Sequence, residues 1–180
     1  MSYLLDTDVF IRAKNSHYGM DFCPAFWDWL VKEHENKMVF SVEKVYDELK
    51  SGNDELSKWA EARGSDFFLS PDDTVSSDII EEAMKKVSKW AENQNYERYA
   101  VDSFLKKADY YLVAQALAGH HTVVTNEIES DSKGKIKIPN ACKGIDIRCM
   151  EPHNMLREAR ARFVLKKKPP DARPTYRVCI

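Results

Sequence analysis

The stretch Tyr3-Leu4-Leu5-Asp6-Thr7-Asp8-Val9-Phe10-Ile11 decides how the rest of the chain is read. Three consecutive apolar residues end abruptly on an Asp-Thr-Asp step, and a second apolar run follows at once. A short strand without polar alternation is buried on both faces, which is the habit of parallel sheets covered by helices. Tyr3 to Leu5 therefore reads as a buried strand that delivers carboxylates at its C-terminal tip.

Working outward, the same strand-then-helix rhythm repeats. Pro24 opens a helix on which Phe26, Trp27, Leu30 and Val31 recur at helical spacing, with Trp29 beside them. Met38-Val39-Phe40 is a second strand, and Ser41 stands where it would cap a helix striped by Val42, Val45, Tyr46 and Leu49 and closed by Gly52. Leu56, Trp59 and Ala60 mark a short helix, and Phe67-Phe68-Leu69 reads as an edge strand or a buried loop. A longer helix follows Ser76, carried by Ile80, Ala83, Met84, Val87, Trp90 and Ala91. Helical patterning resumes from Tyr99 to Leu105, and again from Asp109 through Leu112, Val113, Ala116 and Leu117 to Gly119. Thr122-Val123-Val124-Thr125 and Ile145 to Met150 read as further strands, and Pro152 starts a last helix bearing Met155, Leu156, Ala159 and Phe163. Such alternation predicts a three-layer α/β/α sandwich around a central, mostly parallel sheet.

Size and composition agree with one domain. The chain has 180 residues, 43% hydrophobic and 31% charged, which disfavours disorder, collagen-like repetition and coiled coil. No apolar run has the length of a membrane span and no signal region opens the sequence, so a cytoplasmic, membrane-free protein is expected. Cys23, Cys142, Cys149 and Cys179 lack the close pairing of a zinc site or a disulfide scaffold and read as free thiols. The formal net charge of −2 conceals an asymmetry. Residues 156–180 hold eight Lys/Arg against two acids, a net of +6, leaving 19 basic and 27 acidic residues, a net of −8, in residues 1–155. A division follows into a domain over 1–155 and a basic C-terminal helix with a flexible tail over 156–180, the helix running from Leu156 to Lys168 until Pro169-Pro170 stops it.

In open parallel sheets, ligand sites form beyond the carboxyl ends of the strands. Asp6 and Glu127 both fall just past strands, Asp109 begins the helix that leads into the Thr122 strand, and Glu48 lies on the helix after the Met38 strand. Four converging carboxylates would repel one another unless a divalent cation neutralised them, and a set of oxygen donors without imidazole or thiolate suits Mg²⁺ or Mn²⁺. The chemistry this favours is phosphodiester hydrolysis. Against it stands the reading of any single strand-end acid as a helix cap or solvated loop residue.

Four segments in order carry a resemblance: Tyr3-Leu4-Leu5-Asp6-Thr7-Asp8, Ser41 through Leu49, Ala108-Asp109-Tyr110-Tyr111-Leu112-Val113-Ala114, and Val123-Val124-Thr125-Asn126-Glu127. Together they resemble the PIN domain superfamily, and within it the bacterial DUF4411 group of PIN-like proteins, over about residues 1–155. The resemblance implies an acidic site holding Mg²⁺ or Mn²⁺ and an endoribonuclease activity like that of many toxins of bacterial toxin–antitoxin pairs. By position, Asp6, Glu48 and Asp109 match the first three acids, and Glu127 falls where the family usually has aspartate, its longer arm reaching a metal either directly or only through water. Asp8 departs from the Ser or Asn of many relatives, as a fifth carboxylate or a cap of the first helix, while Thr7 and Thr125 match supporting hydroxyls. The mechanism implied has Asp6, Asp109 and Glu127 as metal ligands and Glu48 as the group that orients or deprotonates the attacking water.

RNA would meet basic side chains near the site, for which Arg12 and Lys14, then Lys106 and Lys107, are the candidates. Trp27, Trp29, Trp59 and Trp90 sit in helical stripes and read as core, and His17, His34 and His153 as surface or structural. Partners implied are RNA, an antitoxin protein and a second copy of the chain. Two rival readings remain. Asp6-Thr7-Asp8 resembles the D-x-D motif of haloacid dehalogenase phosphatases, although Val9 stands where glycine is typical. A non-catalytic PIN-like binding module would use the basic tail to dock another protein.

Overall fold

A computed structural model describes residues 2–71 and 76–164. Its core is a five-stranded sheet in the order β3-β2-β1-β4-β5, with every pairing parallel. The strands are β1 (Tyr3–Leu5), β2 (Val39–Val42), β3 (Phe68–Leu69), β4 (Thr122–Val124) and β5 (Cys149–Met150). Among the described residues nine α-helices surround them. They are α1 (Thr7–Arg12), α2 (Pro24–Glu35), α3 (Glu43–Lys50), α4 (Glu55–Phe67), α5 (Ser77–Asn93), α6 (Arg98–Phe104), α7 (Ala108–Gly119), α8 (Ile138–Gly144) and α9 (Pro152–Glu158). A π-helical turn, Ala13–His17, continues α1. The alternation read from the sequence thus yields the predicted α/β architecture.

β1 is the centre of the sheet because both its faces are apolar: Leu4 and Leu5 are wholly buried. Each such side chain contributes about 1.5–3 kcal/mol relative to exposure. Around it, Val9, Phe10, Phe26, Leu30, Val42, Val45 and Leu112 fill one continuous core. Trp27 is buried, donates its indole N–H to the Tyr18 carbonyl at 2.7 Å and packs edge-on against Trp59 at 5.1 Å, while Trp29, Trp59 and Trp90 are half-buried against the core. Trp90 leans so closely on Gly144 that a Cβ there would meet its Nε1 at 2.0 Å, which fixes a glycine at the end of α8.

Strand order reverses direction between β1 and β4: the chain moves from β1 outward through β2 to β3, then returns to β4 and continues to β5. Right-handed crossovers in opposite senses put helices on opposite faces and open a crevice at the reversal. Asp6 leaves β1 on one side of it, and Thr125-Asn126-Glu127 leaves β4 on the other.

Several local expectations are corrected. Ser41 is no helix cap; it lies inside β2 and donates its hydroxyl to the Leu5 carbonyl at 2.6 Å, and Val42 occupies the cap position of α3. A buried serine bonded across strands satisfies itself within the sheet, an option a linear pattern does not display. α4 is longer than the short helix read from Leu56 to Ala60, because Asp54 and Ser57 close a capping box and Gly64, at φ 65°, kinks the helix without ending it. Gly119 does not stop α7: it stays helical, and His120 takes the left-handed residue at φ 54°. Of the strand expected from Ile145, only Cys149–Met150 pairs, since α8 runs to Gly144 and Asp146 turns the chain at φ 62°. The basic C-terminal helix is also shorter than expected. α9 ends at Glu158, and Arg160 at φ 52° is left-handed, so Leu156 to Lys168 is not one helix; residues 165–180, with the rest of the expected tail, lie outside the described residues.

Candidate functional site: an acidic crevice at the sheet switch point

Asp6 is positioned by the sheet itself. Its backbone N–H extends the β1–β4 ladder to the Val124 carbonyl at 2.9 Å, while its own conformation is already that of a helix cap. One carboxylate oxygen accepts the Thr7 N–H at 2.7 Å, and the other accepts the Thr125 hydroxyl at 2.8 Å. The side chain is 5% exposed. Burial pushes its pKa well above the ordinary value, and the neighbouring carboxylates of Asp8 and then Asp109 push it further. A buried acid whose charged neighbours are of its own sign calls for a cation.

Asp109 sits in the first turn of α7, a helix with eight buried residues. Its carboxyl is raised by burial first, then by Glu127 and Glu48, with partial relief from Lys107 and Lys135. Glu48, in the last turn of α3, receives a hydrogen bond from the Thr7 hydroxyl. Thr7 thereby joins α1 to α3 across the crevice. The four acids singled out in the sequence are thus brought into one electrostatic neighbourhood, although they lie 42, 61 and 18 residues apart.

Glu127 is built differently. One oxygen accepts from Lys137 at 2.7 Å and Lys135 at 3.1 Å, and the other accepts the N–H of Ile138, the first residue of α8, at 3.0 Å. Burial alone would raise its pKa, yet the Lys137, Ile138 and Lys135 donors hold it below the ordinary range. Asp8 is neither cap nor free carboxylate. It accepts the Asn126 N–H at 3.1 Å and its amide at 3.3 Å, pinning α1 to the exit of β4, while its charge adds to the load on Asp6. Thr125 has two tasks, donating to Asp6 and accepting the Glu127 N–H at 3.0 Å.

The basic candidates divide. Arg12 is exposed on α1. Lys14 is committed to an ion pair with Asp54, the cap of α4. Lys107 precedes α7 and is exposed beside Asp109, and Lys106 is exposed next to it. Sequence reasoning missed Lys135 and Lys137, the two cations bonded to Glu127. The run Lys133-Gly134-Lys135-Ile136-Lys137 was the available signal, but nothing in it tells that the loop folds back over the crevice. Beyond Glu127 lies an open groove of about 540 Å³ bordered by Glu129, Lys143, Cys149, Met150, Glu151 and Asn154.

Hard cations want several oxygen ligands. Among the described residues, no three Asp, Glu, His or Cys side chains form a ready-made ligand cluster. Asp6 and Asp109 fit such an ion by donor chemistry, since the first is buried, the second half-buried, and both are raised by desolvation and by neighbouring carboxylates. Glu127, its oxygens already occupied by two ammonium groups and a backbone N–H, does not fit as a direct ligand in this arrangement.

The chain matches the family model DUF4411, described as a domain of unknown function, over residues 3–163, and it belongs to that family. Neither the curated proteins nor the solved structures contain a match. Among the described residues no helix is long and apolar enough to cross a membrane.

Proposed function

We propose that this chain is a metal-dependent endoribonuclease of the PIN type, hydrolysing RNA phosphodiester bonds at the β1/β4 crevice. The observation that carries the reading is the placement of Asp6 and Asp109 at the switch point of a parallel sheet: a buried carboxylate raised by desolvation and the charges of Asp8 and Asp109, beside a half-buried one raised by desolvation and those of Glu127 and Glu48. Mg²⁺ or Mn²⁺ held by these two side chains would supply charge neutralisation and a more acidic water. The chain's own residues do the rest. Thr125 and the Thr7 N–H fix the Asp6 carboxylate in place, and the Thr7 hydroxyl orients Glu48, which is free at its other oxygen to take a proton from the attacking water. Lys107 and Lys135 set positive charge beside Asp109, where a phosphodiester would approach. A role as the toxin of a toxin–antitoxin pair, with an antitoxin or a second copy as partner, extends this reading through the PIN resemblance.

A second reading is a binding module that no longer cleaves. It is favoured by the Lys135 and Lys137 ammonium groups on Glu127, which give that acid its counter-charges from within the chain. The phosphatase reading loses ground because Asp8 is already used as an acceptor by the Asn126 N–H and side-chain amide, where that reading needs a proton donor. Calorimetric titration of Mn²⁺ into the wild type and Asp6→Asn, alongside RNA cleavage with and without a chelator, separates the two. Saturable binding and chelator-sensitive cleavage, both lost in Asp6→Asn, support the nuclease. Absence of both in folded wild type overturns it in favour of the binding module.

A further inference from the structure

Three nitrogen-bearing side chains outside the acid set meet at one small cleft. Arg12 ends α1, His17 closes the π-helical turn that continues it, and His153 lies in the first turn of α9; all three are exposed. The two imidazole rings come from distant parts of the chain, yet they stand 5.8 Å apart, centre to centre, edge to face. Arg12, His17 and His153 line the cleft together with Asn126, and among the described residues no Asp or Glu lines it. None of the three side chains has a hydrogen bond or ion pair among the described residues, in contrast to their neighbour Lys14, which Asp54 holds. Residues 1–155 carry a net charge of −8, so a cleft with basic side chains and no acid is a local reversal of the domain's field.

Asn126 fixes where this cleft lies. It binds Asp8 through its N–H at 3.1 Å and its amide at 3.3 Å, and the Thr125 hydroxyl stands 3.4 Å from Asp8 and 2.8 Å from Asp6. The cleft therefore adjoins the acidic crevice.

We propose that Arg12, His17 and His153 form a phosphate-binding subsite that holds the RNA backbone alongside the crevice. The inference rests on RNA being the substrate, and adds where the strand runs. A phosphodiester offers negatively charged non-bridging oxygens. The guanidinium brings permanent charge and a fixed fork of N–H donors, and each imidazole has an N–H to donate whether neutral or charged. Three such donors, carried by separate elements around one hollow, can surround a phosphate with no carboxylate in the cleft to repel it. Lys107 and Lys135 supply positive charge beside Asp109, so a strand held at both places passes across the carboxylates between them. Contacts of this kind position a strand without reading its bases.

The test measures binding of the full chain to a short, labelled single-stranded RNA by fluorescence anisotropy, in chelator so that nothing is cleaved, over a series of salt concentrations. Arg12→Ala, His17→Ala and His153→Ala, each checked for folding by circular dichroism, should weaken binding by about threefold to tenfold. Arg12→Ala should also reduce the slope of log affinity against log salt by about 0.7, the share of one phosphate contact on a single strand. The losses should be equal on adenine-only and uracil-only strands, because the phosphate carries no sequence. Lys14→Ala, whose ammonium Asp54 already holds, is the matched control and should bind as wild type does. Wild-type affinity in both histidine variants overturns the inference, as does a loss seen on one base only; Mn²⁺-dependent cleavage by the wild type then leaves the nuclease reading standing. Conversely, binding through the three side chains by a wild type that cleaves nothing in Mn²⁺ upholds the subsite and overturns the nuclease.

Discussion

Asp6 and Glu127 leave neighbouring strands of one sheet edge, yet their surroundings are opposite. Asp6 receives only a hydroxyl and a backbone N–H and is surrounded by other carboxylates, so burial and like charge raise its pKa. Glu127 is bound by two lysines and a helix N–H and is held below its ordinary value. One half of the crevice is short of positive charge; the other has supplied its own. A cation entering the crevice therefore gains most on the Asp6–Asp109 side, and Glu127 is better read as the anchor of the lysine-bearing loop than as a ligand. The same contrast explains why four acids scattered along the chain are not chemically equivalent once gathered.

The strongest way to break this contrast is to remove the charge on the deficient side. Asp109→Asn should abolish Mn²⁺ binding and lower RNA cleavage by about a hundredfold or more, the usual scale for deleting a group that stabilises transition-state charge. Glu127→Gln should cost far less in the same cleavage assay; equal losses would erase the distinction.

Stability against pH sharpens the comparison. Asp6 and Asp109 hold protons more tightly folded than unfolded, so the folded state carries more protons from the ordinary value of 3.8 upward to their raised values. Stability contributed by their neutral forms is present below that window and is lost as pH rises through it. Without divalent cations at neutral pH, Asp6→Asn should accordingly melt several degrees above wild type, and the gap should close as the pH falls below 3.8, in thermal scans monitored by circular dichroism. Glu127 has the opposite sign: its folded value lies below the ordinary 4.5, so its contribution is present above 4.5 and is lost as pH falls through the depressed value.

Lys137→Met removes the closer ammonium from Glu127 and leaves a partly buried charge less well paired. A loss of about 1–2 kcal/mol in urea unfolding is expected. Mn²⁺ affinity should rise in the same variant as Glu127 is released towards the crevice. The smallest effect belongs to Lys14→Ala. Its ion pair with Asp54 is partly exposed and screened by water, so stability should fall by less than about 1 kcal/mol. RNA affinity, measured by fluorescence anisotropy, should be unchanged, because that ammonium is already used at the start of α4.

Much of the fold was legible because burial on both faces leaves an unambiguous mark. Tyr3 to Leu5 and Thr122 to Val124 carry no alternation and could only be inner parallel strands. Edges of elements were harder. Ser41 and Gly119 have the right local chemistry to cap a helix, yet a cross-strand hydrogen bond claimed the first, and the left-handed turn fell on His120 beyond the second.

By itself the sequence determined the alternation of strands and helices, the apolar core and the placement of Asp6 and Glu127 just past strands, because hydrophobic periodicity and strand-end position are properties of neighbours along the chain. Only the tertiary structure decided that Lys135 and Lys137 neutralise Glu127 while Asp6 and Asp109 keep their repulsion. Charge and desolvation act through space, and the groups that set them come from loops whose path the local pattern does not encode.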